Sequence, residues 1–428
     1  MSTLRATARG IACGMMVAGL LMAGCGTPDA GRSAPRSSAV ALVGGRVQPT
    51  PEAPTIDDGV VLIDNGIITA VGSRASVPVP SGATLIDCAG ATVTSAFWNS
   101  HVHFTGTAFQ QADSAPPAQL ADELRAMLTS WGVVNAVDTG SYLPNTLALR
   151  RRIDSGEILG PSILTAGAGF VPVGGSPYYI LPARLPELTD TDRTASLVNG
   201  ELDRGADVVK LFTGSWASRT QIVVMPVELV KVATDAAHRR GKLVFAHPSN
   251  SAGARAAIEG GVDILAHTFP SELDRRPWDR ALPGLMRDRS MALIPTLKLF
   301  AYELGRAGLP ANVIDAVLGN ARAQLRAFSD LGGLVLFGTD VGYMADYDPT
   351  DEYVAMQQAG LSYSQILTAL TTGPAARFGV MARSGRLSVG YAGDVVVLEG
   401  DPAQDIRALA RVRTTLRGGR VIATRQPR

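Results

Sequence analysis

The chain has 428 residues, 46% hydrophobic and 18% charged, enough apolar material for one large domain or two ordinary ones and too much for extensive disorder. Its formal net charge is +1, from 39 basic and 38 acidic side chains that form no basic run, so nothing in the balance recruits nucleic acid. Three cysteines are too few for a disulfide framework.

In chain order, residues 1–24 read as a signal peptide: Arg5 and Arg9 precede an apolar stretch over 11–24. That stretch is too short to cross a bilayer core, which takes about 20 residues. It ends in Leu21, Met22, Ala23, Gly24 and Cys25. Small residues before a cysteine resemble the lipobox of bacterial lipoproteins, with Met22 standing where leucine is usual. The resemblance implies lipidation of Cys25 and an extracytoplasmic, membrane-anchored protein; an ordinary secretory signal is the alternative. Cleavage before Cys25 would remove two arginines and no acid, taking 39 minus 38 to 37 minus 38, a net charge of −1. Residues 25–38, rich in Gly, Pro, Ser and Ala, read as a lipid-anchored linker.

Short β-rich runs follow at 40–43, 60–63, 67–71 and 83–86, with Asp64, Asn65 and Gly66 marking a tight hairpin turn. Cys88 closes this region and is expected to be a buried, inert thiol. Similar strands and turns return at 385–398, 412–416 and 419–423. The two ends, 39–92 and 381–428, are therefore expected to build one small composite β-sandwich domain.

Between them, over 93–380, short apolar runs alternate with amphipathic segments, the signature of parallel βα units. Eight runs qualify as strands: 96–103, 132–139, 162–168, 207–212, 242–247, 263–267, 292–297 and 334–340. The clearest helix is 226–240, with Pro226 at its first position, Glu228 in the first turn, Arg239 and Arg240 in the last, and Gly241 as the stop. Eight such units fit a (β/α)8 TIM barrel of the α/β class. A doubly wound open sheet is the structural alternative, weakened by the lack of a Gly-rich phosphate turn after the first strand.

Barrel active sites lie at the carboxyl ends of the strands. His101 and His103 end the first run, where i, i+2 spacing puts both on one face. Lys210 falls late in the fourth, His247 ends the fifth, His267 the sixth and Asp340 the eighth. A buried lysine is costly without a chemical role, whereas strand-end histidines could be structural and Asp340 could cap a helix. The fifth histidine, His238, sits near a helix C-terminus, where it needs no metal.

These residues, with the runs 209–214, 261–267, 338–340, 374–377, 390–398 and 400–402, resemble the amidohydrolase superfamily, in particular its imidazolonepropionase-like and Xaa-Pro dipeptidase-like members. The likeness covers nearly the whole mature chain. Ser95, Ala96 and Asn99 depart from the Pro-Gly and aspartate usual before the His pair, and Ala266 stands where glutamate is common. The resemblance implies two divalent metal ions. His101, His103 and Asp340 would hold one, and His247 and His267 the other, bridged by Lys210 as N6-carboxylysine. Imidazole and carboxylate donors point to Zn2+. Asp340 would be the catalytic proton carrier for hydrolysis of a C–N amide bond by activated water.

Tyr178, Tyr179, Lys298 and Tyr343 are candidate substrate contacts, and Lys298 could hold a carboxylate. That suits a dipeptide or N-acyl amino acid as the small-molecule substrate. A cyclic amidohydrolase of the imidazolonepropionase type is one alternative. A non-catalytic binding lipoprotein that keeps the barrel is another, although it would be expected to lose a ligand such as Lys210 or Asp340.

Overall fold

The computed structural model describes residues 39–269, 272 and 276–424, so the expected signal peptide, linker and Cys25 lie outside the described residues. Eight parallel strands form the barrel: Phe97–Val102, Val133–Asp138, Ser162–Thr165, Val209–Phe212, Val244–His247, Ile264–Ala266, Ala292–Ile294 and Leu334–Val335. Three pair in one ladder and five in another. The seams close where Phe170 bridges Leu211 and where Ser100 N–H donates to Phe337 O at 2.8 Å. The strands are short and mostly buried on both faces, as parallel strands covered by helices must be.

Each strand run contributes to one apolar plug inside the barrel, which includes Trp98, Val137, Ala166, Val208, Phe245 and Leu336. Phe378 packs into this plug, stacked 5.2 Å from Trp98 and 6.3 Å from Phe245. The barrel is therefore filled below its rim, and chemistry is confined to the strand ends.

Outside, the helix Val227–His238 turns Leu229, Val230, Ala233, Ala236 and Ala237 inward, the stripe expected of a barrel helix. Pro226 occupies its N-cap rather than its first helical position, and Gly241, at φ 66°, turns the chain away.

The two ends of the chain share an eight-stranded sheet, in which Val395–Glu399 lies between Ala91–Ser95 and Val412–Arg417. Strand Val40–Gln48 changes neighbours half-way: residues 40–43 pair with 84–87 and residues 46–48 with 92–94. Register shifts between these halves bend the sheet over two apolar clusters, one around Leu42, Ile63, Val93 and Val395, the other around Ala41, Val60 and Leu62. The result is a composite β domain built from both ends of the chain around one sheet. Its hairpin turn has φ of 49° at Asn65 and 81° at Gly66, the pair of positive angles that a tight two-residue connection requires. Cys88 is fully buried against Val43 and Gly45, and burial pushes its thiol up to about 11, which keeps it inert.

Candidate metal centre

His101 and Asp340 are buried, and His103 faces the same point from the end of the first strand. One ligand atom from each of the three lies within 4.8 Å of the others. His103 Nε2 comes within 2.8 Å of Asp340 Oδ1, and His101 Nε2 within 3.4 Å. Yet among the described residues both ring nitrogens of His101 and Asp340 Oδ1 are buried without an aligned hydrogen-bond partner. Such groups are costly to leave unsatisfied, and His101 and Asp340, converging with His103 on one point, have the donor chemistry of a divalent metal site.

Neighbouring groups fix the direction of each ligand. His103 Nδ1–H donates to Gly140 O at 2.8 Å, which turns Nε2 toward Asp340. The Thr296 hydroxyl donates to Pro295 O at 2.9 Å and must therefore accept from His267 Nδ1–H at 2.7 Å, so His267 also offers Nε2. Asn99 ties the first strand to the eighth: its amide donates to Thr339 Oγ1 at 2.7 Å, and its carbonyl accepts from Thr339 N and His101 N.

The remaining expected ligands gather beside this group. The His267 ring lies 4.7 Å from His101 and 4.6 Å from His247, centroid to centroid. Lys210 is buried below them, its Nζ 5.4 Å from the Phe212 ring, which in turn packs 5.0 Å from His247. Burial, aided by the Lys210 charge, lowers His101 and His247 to about 3, and burial with its histidine neighbours holds His267 well below the usual value. These three imidazoles are neutral at physiological pH and free to ligate. Burial also pushes His103 down, but Asp340 and Asp138 outweigh it and raise the ring above its ordinary value. For Asp340 burial works upward, and His101 and His103 overcome it to hold the carboxyl well below the usual range. Lys210 is lowered to about 8 by burial.

The sequence profile described as the amidohydrolase family matches residues 92–422. The chain belongs to the amidohydrolase family. This amidohydrolase is 24% identical to the ochratoxinase of Aspergillus niger over 392 residues, which cover 81% of this chain and 78% of that one. A prolidase candidate from Bifidobacterium longum superposes with a TM-score of 0.75 at 25% identity, covering 90% of this chain and 95% of its own. A Xaa-Pro dipeptidase solved with methionine in its active site gives 0.76 at 20% identity, over 90% and 99%. The protein is thus a metal-dependent hydrolase of C–N bonds, and its His–His–Asp group supplies ligands of the expected kind.

Of the expected substrate contacts, three gather at the mouth. The rings of Tyr178 and Tyr179 lie 5.5 Å apart, as do those of Tyr179 and Tyr343. Burial raises the Tyr179 and Tyr343 hydroxyls, and the charge of Asp340 contributes to both shifts. Lys298 is engaged elsewhere: its ammonium pairs with Asp346 Oδ2 at 2.8 Å and donates to Asp348 O, pinning the loop beyond the eighth strand.

Sequence reasoning passed over several groups that hold the amidohydrolase rim in place. Asp138 ends the second strand, fully buried, and accepts hydrogen bonds from Ser141 Oγ at 2.6 Å, Thr165 Oγ1 at 2.7 Å and Thr146 Oγ1 at 3.0 Å. It thereby steadies the turn that presents Gly140 O to His103. Its place at the end of an apolar run was the available signal. Gln324 reaches from the helix Ala311–Asp330 to bond both N and O of Phe269, just past His267. Nothing in its local pattern distinguishes it from a helix-face glutamine.

Proposed function

We propose that the protein hydrolyses the amide bond of a dipeptide or an N-acyl amino acid at a binuclear zinc centre. The convergence of His101, His103 and Asp340, with His247 and His267 packed against His101 and Lys210 buried beneath, carries this reading. His101, His103 and Asp340 would hold one ion and His247 and His267 the other. Lys210 in its neutral form would add to carbon dioxide and release a proton, giving the carbamate that joins the two sites; lowering toward 8 favours that neutral form. The metals would supply Lewis acidity toward the carbonyl oxygen and lower the pKa of the attacking water.

The protein's own groups do the rest. Asp340, short of an aligned donor at Oδ1, takes the proton of the attacking water and passes it to the leaving nitrogen as the C–N bond breaks. Gly140 and Thr296 keep His103 and His267 in the tautomer that presents Nε2. The tyrosines at the mouth give the substrate's body an apolar wall.

Metal analysis of the purified protein, followed by a screen of the zinc-loaded form against dipeptides and N-acyl amino acids, decides the matter. Expected are two ions per chain, chelator-sensitive turnover and hits confined to those classes. Metal-free protein whose turnover ignores both chelator and zinc would overturn the centre, and hits confined to cyclic amides would overturn the substrate class.

We also propose that Cys25 is lipidated and tethers the enzyme to a membrane on its extracytoplasmic side, on the strength of residues 21–25. Cells fed a labelled fatty acid should label the wild type and not Cys25→Ala, which should fractionate away from membranes. Label retained in that variant would remove the anchor.

A further inference from the structure

Beyond the fourth strand the chain forms a hairpin, Gly214–Ser218 paired with Gln221–Val224, and Arg219 stands exposed at its tip. The hairpin is a fixed platform. The buried Ser215 hydroxyl donates to Gly175 O at 2.5 Å, tying it to the loop that carries Tyr178, and Ser249 Oγ donates to Gly214 O at 2.8 Å, tying it to the turn after His247. Gly214 packs so closely that an added Cβ would stand 2.0 Å from Pro248 O.

From this platform the Arg219 guanidinium lies 5.5 Å from the centroid of the Tyr178 ring, and Tyr179 and Tyr343 continue that wall toward Asp340. Among the described residues Arg219 makes no ion pair or hydrogen bond, whereas Lys298, the cation that sequence reasoning favoured, is committed to residues 346–348. The far end of the wall has the opposite sign, since Tyr343 donates to Glu303 Oε1 at 3.2 Å. An anion is therefore welcome at one end of the tyrosines and repelled at the other. A guanidinium held over a ring keeps its planar fork of donors for a carboxylate.

We propose that Arg219 is a specificity-determining residue that binds the free carboxylate of an N-acyl amino acid whose apolar side chain lies along Tyr178, Tyr179 and Tyr343. This rests on the amidase reading above and goes further by fixing which end of the substrate is anionic and what receives it.

The experiment uses the zinc-loaded full-length enzyme with N-acetylphenylalanine and its carboxamide, reading acetate release, alongside equilibrium binding of both compounds. The wild type should prefer the carboxylate. In Arg219→Gln that preference, as a ratio of kcat/KM values, should fall about tenfold through KM, the size expected for a lost charged hydrogen bond, with the same shift in the binding ratio. Arg219→Lys should restore part of it, since charge returns without the fork. An unchanged preference in Arg219→Gln would overturn the assignment while leaving the amidase reading intact. A wild type that retains zinc yet neither binds nor cleaves either compound would overturn this assignment, while the amidase reading would fall only if the dipeptides and N-acyl amino acids of the screen failed with it.

Discussion

Two aspartates at opposite ends of the barrel show how differently this fold treats an enclosed carboxylate. Asp263, just before the sixth strand, is fully matched: Oδ2 accepts from His238 Nε2 at 2.7 Å and Val244 N at 2.8 Å, and Arg377 bonds its main-chain oxygen at 2.6 Å while facing Oδ1 at 3.4 Å. Asp340, at the rim, faces two histidines without an aligned bond at Oδ1 and sits in the left-handed region at φ 65°. His267 at 71° and Thr296 at 45° share that strained conformation at neighbouring strand ends. The base is arranged for stability and the rim for ligation, and the rim carries the strain and the unmatched polar atoms.

The largest effects should come from breaking the rim. Asp340→Asn and Lys210→Ala should each abolish turnover and metal retention, read by activity and metal content, while thermal melting of the metal-free proteins should hold for Lys210→Ala, which removes a charge that burial disfavours, and fall only modestly for Asp340→Asn, which removes a carboxylate that His101 and His103 stabilise. A collapse in melting temperature would mean the rim is structural after all. The mirror experiment is Asp263→Asn: loss of a half-buried, well-paired carboxylate should cost about 1–2 kcal/mol of stability yet leave activity per folded molecule near wild type. Chemical denaturation and active-site-normalised rates test both halves.

Between these extremes lies Thr296→Val, which removes the acceptor that orients His267. It should weaken metal binding about 10- to 100-fold with little change in fold, measured by chelator competition.

Smallest is Glu352→Gln, which probes a carboxylate that belongs wholly to neither end. Glu352 is fully buried, accepts from Lys298 N at 2.7 Å, and is pushed by burial from 4.5 up to about 7. The folded state therefore holds a proton that the unfolded chain has released, so this group makes stability fall as pH rises from about 4.5 to 7, with no further change above. The glutamine variant should flatten that slope in denaturation curves across the same window, and an unaltered slope would assign it to other groups.

Much of this contrast was legible in the sequence because it is written in periodicity. All eight apolar runs became barrel strands, and the residues terminating them mark the rim. Boundaries were read too long at the rim: runs extended to 267 and 297 overshoot strands ending at Ala266 and Ile294, since positive φ at His267 and Thr296 carries no compositional sign, and the run to 340 leaves its ladder at Val335. Partner choice was not legible either. Lys298 has the right chemistry for a carboxylate, but its position selects the loop at 346–348, while Arg219, an ordinary turn residue in sequence, comes to lie over Tyr178. Which cation stays available is decided by tertiary packing, to which a linear pattern is blind.

The shared terminal sheet has a consequence for how the enzyme is made. Thr92 Oγ1 donates to Gly400 O, a contact spanning 308 residues, and the whole Ala91–Ser95 edge waits for Val395–Glu399 as its antiparallel partner. At ribosomal rates of about 5–20 residues per second, that edge emerges roughly 15 to 60 seconds before its partner exists. During that interval one edge of Ala91–Ser95, whose other edge pairs with residues 46–48, stands open directly ahead of the strand bearing His101 and His103. Biosynthesis of this protein should therefore depend on holding the chain open until its last strands arrive, and C-terminal truncations should aggregate rather than leave a working barrel.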